Sequence, residues 1–260
     1  MEIDLSASSI TAGLKTKFIG QNIVYLPVTN STMDAAKEDA KKGAPEGTVV
    51  IAGEQTSGRG RLNRTWVMAP DSCIAMSIIL YPHVKTLPYL IMITSLAVVE
   101  GIEKTTGLKA QIKWPNDVLL DGKKVCGMLI ENGFRGHEVA YSIIGIGVNV
   151  NLAVCDIIDI AATATSLSDV LGEKVSRIEL VQNTFVAMEQ RYLEAKTNSS
   201  NVFNEWRNNL VTLGKGVKVT STSNVQEGIA ESVNPDGSLM LRKPDGSLVR
   251  IVAEDVTLRE

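Results

Sequence analysis

The sequence predicts an α+β protein in which a mixed sheet flanked by helices is followed by a small antiparallel β domain. Three patterns lead to this reading. Strand-like runs are separated by two helical stretches through the first 150 residues, an amphipathic helix starts near residue 176, and short alternating strands with turn signals begin at residue 216. At 260 residues the chain has room for one main domain and a minor one, divided here as 1–212 and 213–260.

Taken in order, residues 22–28 suit a strand, 31–42 a helix closed by Gly43, and 48–55 a second strand running straight into a glycine-rich loop. Residues 73–81 alternate as a strand, 87–106 read as a mostly buried helix stopped by Gly107, and 111–114 begin another strand that Pro115-Asn116-Asp117 interrupts. Residues 118–120 and 125–131 flank Asp121-Gly122-Lys123-Lys124, a hairpin signal, and the β-branched run 138–150 suits a central strand. Ser176 and Glu179 form a capping-box pattern ahead of Val181, Phe185, Met188 and Tyr192, spaced four, three and four apart as an apolar helix stripe. Strands at 217–221, 225–233, 238–242 and 248–252 are punctuated by Asn-Pro-Asp-Gly at 234–237 and Pro-Asp-Gly at 244–246, which predicts a small barrel.

Composition narrows the chemistry. With 26 Lys and Arg against 29 Asp and Glu, the net charge of −3 gives no overall field toward nucleic acid or an anionic membrane. Bound anions must therefore be met by local charge. Apolar stretches such as 73–80 and 90–99 fall short of the ~18 residues that cross a bilayer, and the acidic N-terminus lacks the positive start of a signal peptide. A cytoplasmic protein with no membrane partner is expected. Cys73, Cys126 and Cys155 are odd in number and set in apolar runs, so they read as buried thiols and not as disulfides or a zinc site. With only His83 and His137 present, the chemistry is expected to rest on Lys, Arg, Asp or Asn.

Three segments carry that chemistry. Gly58-Arg59-Gly60-Arg61-Leu62-Asn63-Arg64-Thr65-Trp66 places three arginines in a glycine-containing loop, where fork-shaped donors suit carboxylate or phosphate oxygens; a basic nucleic-acid loop is the alternative. Lys113-Trp114-Pro115-Asn116-Asp117 carries a lysine into an apolar setting. There it can neutralise charge on an acyl carboxylate or a phosphate, with Asn116 or Asp117 offering oxygen ligands to Mg2+; a snorkelling lysine is the alternative. In Gly145-Ile146-Gly147-Val148-Asn149, glycines interrupt an apolar strand, which points to a ligand lying against it or to a bulge.

These segments in this order resemble the biotin protein ligases, whose Gly-Arg loop, Lys-Trp-Pro-Asn-Asp strand, Gly-x-Leu-x-Glu strand (Gly127–Glu131 here) and Gly-x-Gly-x-Asn strand (Gly145–Asn149) all have counterparts. The resemblance covers about residues 20 to 260. It implies a class II synthetase-like catalytic domain with a C-terminal Src-homology-3-like barrel. It also implies a two-step reaction, in which biotin and ATP give biotinyl-adenylate and a lysine of a biotin carboxyl carrier domain then takes the biotinyl group. By the same resemblance Ser31, Thr32 and Gln55 grip the biotin ring. Gly58, Arg59, Gly60 and Arg61 form the anion loop and Trp66 shields the site. Lys113, with Arg59 and Arg61, is catalytic. Asn116, Gly127, Gly145, Gly147, Asn149 and Arg259 line the biotin and nucleotide site, with Mg2+ as the metal on ligands left unassigned. The carrier belongs to a carboxylase or decarboxylase, and a homodimer through a sheet edge is expected.

The chain departs from the family pattern at Met33, where asparagine is usual, and at Asn63, where the loop's last glycine is expected. Only about 20 residues precede the first predicted strand, so no helix-turn-helix and no DNA partner are expected. A lipoate or octanoyl ligase of the same superfamily and a non-enzymatic biotin-responsive regulator are the alternative functions.

Overall fold

A computed structural model describes residues 5–220, 225–252 and 255–258. The larger part contains α1 (Ala7–Thr11), β1 (Ile23–Thr29), α2 (Thr32–Lys41), β2 (Val49–Gln55), β3 (Cys73–Leu80), α3 (Leu90–Thr106), β4 (Gln111–Lys113), β5 (Asp117–Leu120), β6 (Lys123–Arg135), β7 (Glu138–Asn149), α4 (Leu167–Leu171) and α5 (Arg177–Asn208). Its seven strands form one sheet in the order β1-β2-β3-β7-β6-β5-β4. β1 and β2 run parallel across the α2 crossover, and every other neighbour is antiparallel. The sheet is therefore mixed, as the pattern predicts.

Strand alternation sends the two faces of the sheet to different partners. Ile74, Met76, Ile78, Leu80, Cys126, Met128, Ile144, Ile146 and Val148 face the main core with α3 and α5. The opposite face packs Val50, Ile79 and Ile143 on Met33, Ala36 and Ala40 of α2. The helical run Val84–Thr106 is long and apolar enough to span a bilayer, longer than the apolar stretch noted in the sequence. In this fold it lies against the sheet and α5, burying Leu90, Met92, Ile93, Leu96 and Ile102.

α5 carries the expected stripe. Ser176 caps it by accepting from the Glu179 N–H at 3.3 Å, and Val181, Phe185, Met188 and Tyr192 are all buried. The helix breaks at Asn198 (φ −141°, ψ 62°), whose Oδ1 accepts from the Asn201 N–H at 3.3 Å and starts a second stretch containing Trp206. Arg191 fastens the two halves, donating to both oxygens of Glu205 at 2.7 Å and to Glu100 of α3 at 3.0 Å.

The C-terminal part adds β8 (Gly216–Thr220), β9 (Val225–Val233), β10 (Leu239–Arg242), β11 (Leu248–Ile251) and β12 (Asp255–Leu258), an antiparallel sheet in the order β11-β10-β9-β8-β12. The fifth strand was not read in the sequence. Asp-Val-Thr-Leu is short, and it becomes a strand by pairing with β8. This small domain touches the first directly, because the Trp114 indole N–H donates to the carbonyl of Gly237 at 2.8 Å.

Candidate active site

The site is a cleft on the α2 face of the sheet, holding about 690 Å³ of space counted to its open mouth. Its floor is a row of small residues set by strand register. Ala75 of β3 pairs with Gly147 of β7, and Gly147 pairs with Gly127 of β6. A Cβ on Gly147 would lie 2.5 Å from the Trp66 indole, and one on Gly127 would lie 3.0 Å from the Lys124 side chain and 3.2 Å from Trp66. What lies against these glycines is thus the protein's own tryptophan and lysine, laid across the floor. Gly145 serves Met33 in the same way, since a Cβ there would meet the methionine sulfur at 2.5 Å. The departure at Met33 therefore fills the notch that Gly145 leaves.

At the α2 end, Gln55 Oε1 accepts from the Thr32 backbone N–H at 2.8 Å and from its hydroxyl at 3.2 Å, and Ser77 donates to Thr32 Oγ1 at 2.8 Å. Ser31 occupies the N-cap position of α2, where a serine hydroxyl ordinarily accepts from the first turn, yet it makes no capping bond. Its Oγ is buried without a hydrogen-bond partner, and so is Trp66 Nε1. Both residues line the cleft. Buried polar atoms are nearly always paired, so two orphans in one cleft mark where a polar ligand makes its bonds.

The Gly-Arg loop is folded back as a small hairpin. Trp66 N–H donates to the Gly58 carbonyl at 2.9 Å, Gly60 N–H donates to the Arg64 carbonyl at 2.7 Å, and Arg59 bridges Thr65. Residues Arg61–Asn63 form its turn. The left-handed residue in that turn is Leu62 (φ 53°), the neighbour of the position where the family pattern has glycine.

The arginines of this loop divide. Arg61 turns inward, its Nη1 donating to Asn116 Oδ1 at 2.9 Å, while Asn116 Nδ2 donates to the Met128 carbonyl at 2.7 Å. Arg59 turns to the rim, 2.6 Å from Asp34 of α2 and 3.6 Å from Glu131 of β6. Arg64 also lines the cleft.

Sequence reasoning missed Lys124. It lines the cleft, stands 2.6 Å from Asp117, and its ammonium lies 5.9 Å from the centroid of the Trp66 ring. Its backbone is clamped on both sides, donating to the Thr163 carbonyl and accepting from the Thr165 N–H, each at 2.9 Å. Lys113 lies next door, in a polar hollow that it shares with Arg64, Asn116, Asp117, Thr220 and Thr257. Asn149 is buried behind the cleft, where its Nδ2 donates to the Thr165 carbonyl at 3.0 Å and so supports the segment that clamps Lys124. Arg259 lies outside the described residues.

The expected magnesium ligands are taken. Asn116 Oδ1 accepts from Arg61 and Asp117 is paired with Lys124, and among the described residues no three metal-ligating side chains cluster. Burial pushes the Cys73 and Cys126 thiols up, away from thiolate. Cys155 is exposed, contrary to its apolar setting in the sequence, because it lies in a surface turn.

Residues 25–149 match the biotin/lipoate A/B protein ligase family, which places the fold and its cleft among the ligase domains of that family. The chain is 37% identical to the bifunctional ligase/repressor BirA of Bacillus subtilis over 258 residues, covering 98% of this chain and 79% of that protein. It is 32% identical to the biotin–acetyl-CoA-carboxylase ligase of Paracoccus denitrificans over 231 residues, 85% of this chain and 96% of that one. Among solved structures, the biotin protein ligase of Aquifex aeolicus in complex with biotin and ATP superposes with a TM-score of 0.78 at 27% identity, covering 92% of this chain and 99% of that chain. The chain belongs to this family and, within it, is a biotin protein ligase.

Proposed function

We propose that the cleft runs both steps of biotin–protein ligation, with the ring of biotin at the Ser31 end and its carboxylate at the Lys124 end. The observation that carries this reading is the pair of orphaned polar atoms, Ser31 Oγ and Trp66 Nε1, in a cleft that also holds Lys124 and Arg61. Ser31, Thr32 and Gln55 offer hydroxyl and amide groups to the ureido ring, with Met33 as apolar wall. In the first step a biotin carboxylate oxygen attacks the α-phosphorus of ATP, the bond to the β-phosphate oxygen breaks, and pyrophosphate leaves. Bringing two anions together is the obstacle, and the fixed charges of Lys124 and Arg61 offset it in a partly enclosed site. The neighbouring hollow with Lys113 and Arg64 takes the departing phosphates. Mg2+ comes with ATP as substrate, bound to its phosphates.

In the second step the neutral amine of a carrier lysine attacks the acyl carbon, AMP leaves, and the amine gives up a proton. The partner is the biotin carboxyl carrier domain of a carboxylase or decarboxylase, in the cytoplasm. β6 runs on to Arg135 past its last pairing with β5 at Gly127, which offers a strand edge for a second copy of the chain. Neither DNA nor membrane is proposed as a partner.

The test is incubation with ATP, Mg2+, labelled biotin and an isolated carrier domain, read on a gel. ATP-dependent label on the carrier's lysine is expected. Transfer of lipoate or octanoate in place of biotin would overturn the assignment, and absence of any transfer would leave a regulator.

A further inference from the structure

We propose that Trp114 is a positioning residue for Arg61, acting by tying the Lys-Trp-Pro-Asn-Asp turn to the C-terminal β domain; the inference rests on the ligase reading above. Trp114 is buried, and its hydrogen bonds leave the edge of the sheet. Its backbone N–H donates to Thr212 Oγ1 at 2.9 Å and its indole N–H donates to the Gly237 carbonyl at 2.8 Å.

Gly237 belongs to the turn 234–238 between β9 and β10, which is braced from within. Asp236 accepts from the Ser238 backbone N–H at 2.9 Å and from its hydroxyl at 2.6 Å, and it pairs with Arg250 of β11. The Asn234 N–H donates to the Ser238 carbonyl at 2.9 Å. So many mutual bonds make the turn a fixed anchor.

Two residues beyond Trp114, Asn116 accepts from Arg61 Nη1 at 2.9 Å, and its own carbonyl accepts from the Met128 N–H at 3.0 Å. Hydrogen bonds at both ends, joined by the short backbone stretch from Trp114 through Pro115 to Asn116, thus link the β-domain turn to Arg61. Hydrogen bonds weaken steeply with misalignment, so a shift of about 1 Å at Asn116 would release Arg61 from its inward position. A phenylalanine at 114 would keep an apolar ring there, smaller than the indole, but could not hold the turn.

The experiment uses the whole chain carrying Trp114→Phe, which keeps an aromatic side chain and removes the donor, and in parallel Asp236→Ala, which loosens the anchor from the β-domain side. Each is mixed with ATP, Mg2+, biotin and serum albumin, and escape of biotinyl-adenylate is read as biotin on albumin. Both variants are expected to raise albumin labelling about three- to tenfold, the range that a single hydrogen bond supports. Neither is expected to add to the leak of Arg61→Gly, because each acts through that arginine.

Parental labelling by both variants would overturn the proposal. So would a further rise of the full single-variant factor on the Arg61→Gly background, which would place Trp114 on a separate route. A parent chain that forms no biotinyl-adenylate would take down the ligase reading and the proposal with it. A parent that forms it beside silent variants would take down the positioning role alone.

Discussion

The floor of the cleft and the loop above it are held by different means. The floor is three strands in register, with Ala75 buried and Gly127 and Gly147 half-buried, all kept level by the hydrogen-bond ladder of the sheet. The loop is a short hairpin with few internal bonds, a left-handed leucine, and an arginine paired to carboxylates at the rim. A ladder of this kind opens only with the domain, whereas a surface hairpin opens at little cost. On the proposed reading the floor supplies shape and the loop supplies retention, and Trp66 belongs to both, lying on the floor at the loop's end.

The contrast is broken most severely from below. Gly147→Val would drive a side chain into the Trp66 indole, and overpacking of this kind costs ~1–3 kcal/mol, so the biotin KM should rise on the order of tenfold to a hundredfold. Gly145→Ala should do less, because the flexible end of Met33 can give way. Equal effects at the two glycines, measured by steady-state kinetics, would mean that register does not set the floor.

From above, Arg61→Gly should leave adenylate formation supported by Lys124 but let the intermediate escape. Loss of a charge-assisted contact of ~1.5–3 kcal/mol corresponds to a leak roughly tenfold to a hundredfold faster, seen as biotin on albumin. Unlabelled albumin beside continued carrier labelling would deny the loop its retaining role.

At the rim the effect should be small. Arg59 and Asp34 are exposed and Glu131 is half-buried, and exposed pairs contribute ~0.2–1 kcal/mol, so Asp34→Asn should hasten tryptic cleavage of the loop by less than about fivefold. That difference should vanish in high salt. A larger, salt-insensitive effect would show that Arg59 reaches into the cleft.

The smallest test needs no substitution. A thiol reagent should modify exposed Cys155 quickly, and Cys73 and Cys126 only on unfolding, since burial pushes both buried thiols up. A second fast thiol would mean that the floor strands open locally.

How much of this was legible follows the same division. Strand alternation, the α5 stripe and the β-domain turns were readable because each is a local period. The glycines of β6 and β7 announced a close approach, but not by whom, because Trp66 and Met33 arrive from other elements and only tertiary packing names them. Lys124 was hidden inside Asp-Gly-Lys-Lys, a good turn signal; it becomes a cleft residue through a register shift in the β5–β6 pairing and its contact with Asp117. The Gly-Arg loop was legible as an anion site, but the rim carboxylates that divert Arg59 were not, since Asp34 and Glu131 are distant in the chain. Cys155 was misread because apolar neighbours in sequence do not show that a short turn keeps to the surface.

On the proposed reading the lysine working in the cleft is Lys124, with Lys113 one step away. Single-turnover formation of biotinyl-adenylate, followed by quenched chromatography in the parent, Lys124→Ala and Lys113→Ala, tests it most directly. A fixed catalytic cation is worth ~3 kcal/mol or more, so Lys124→Ala should form the adenylate at least about a hundredfold more slowly with its thermal midpoint little changed, and Lys113→Ala should be affected less. Adenylate made at the parental rate by Lys124→Ala, with the loss falling on Lys113→Ala instead, would contradict the account.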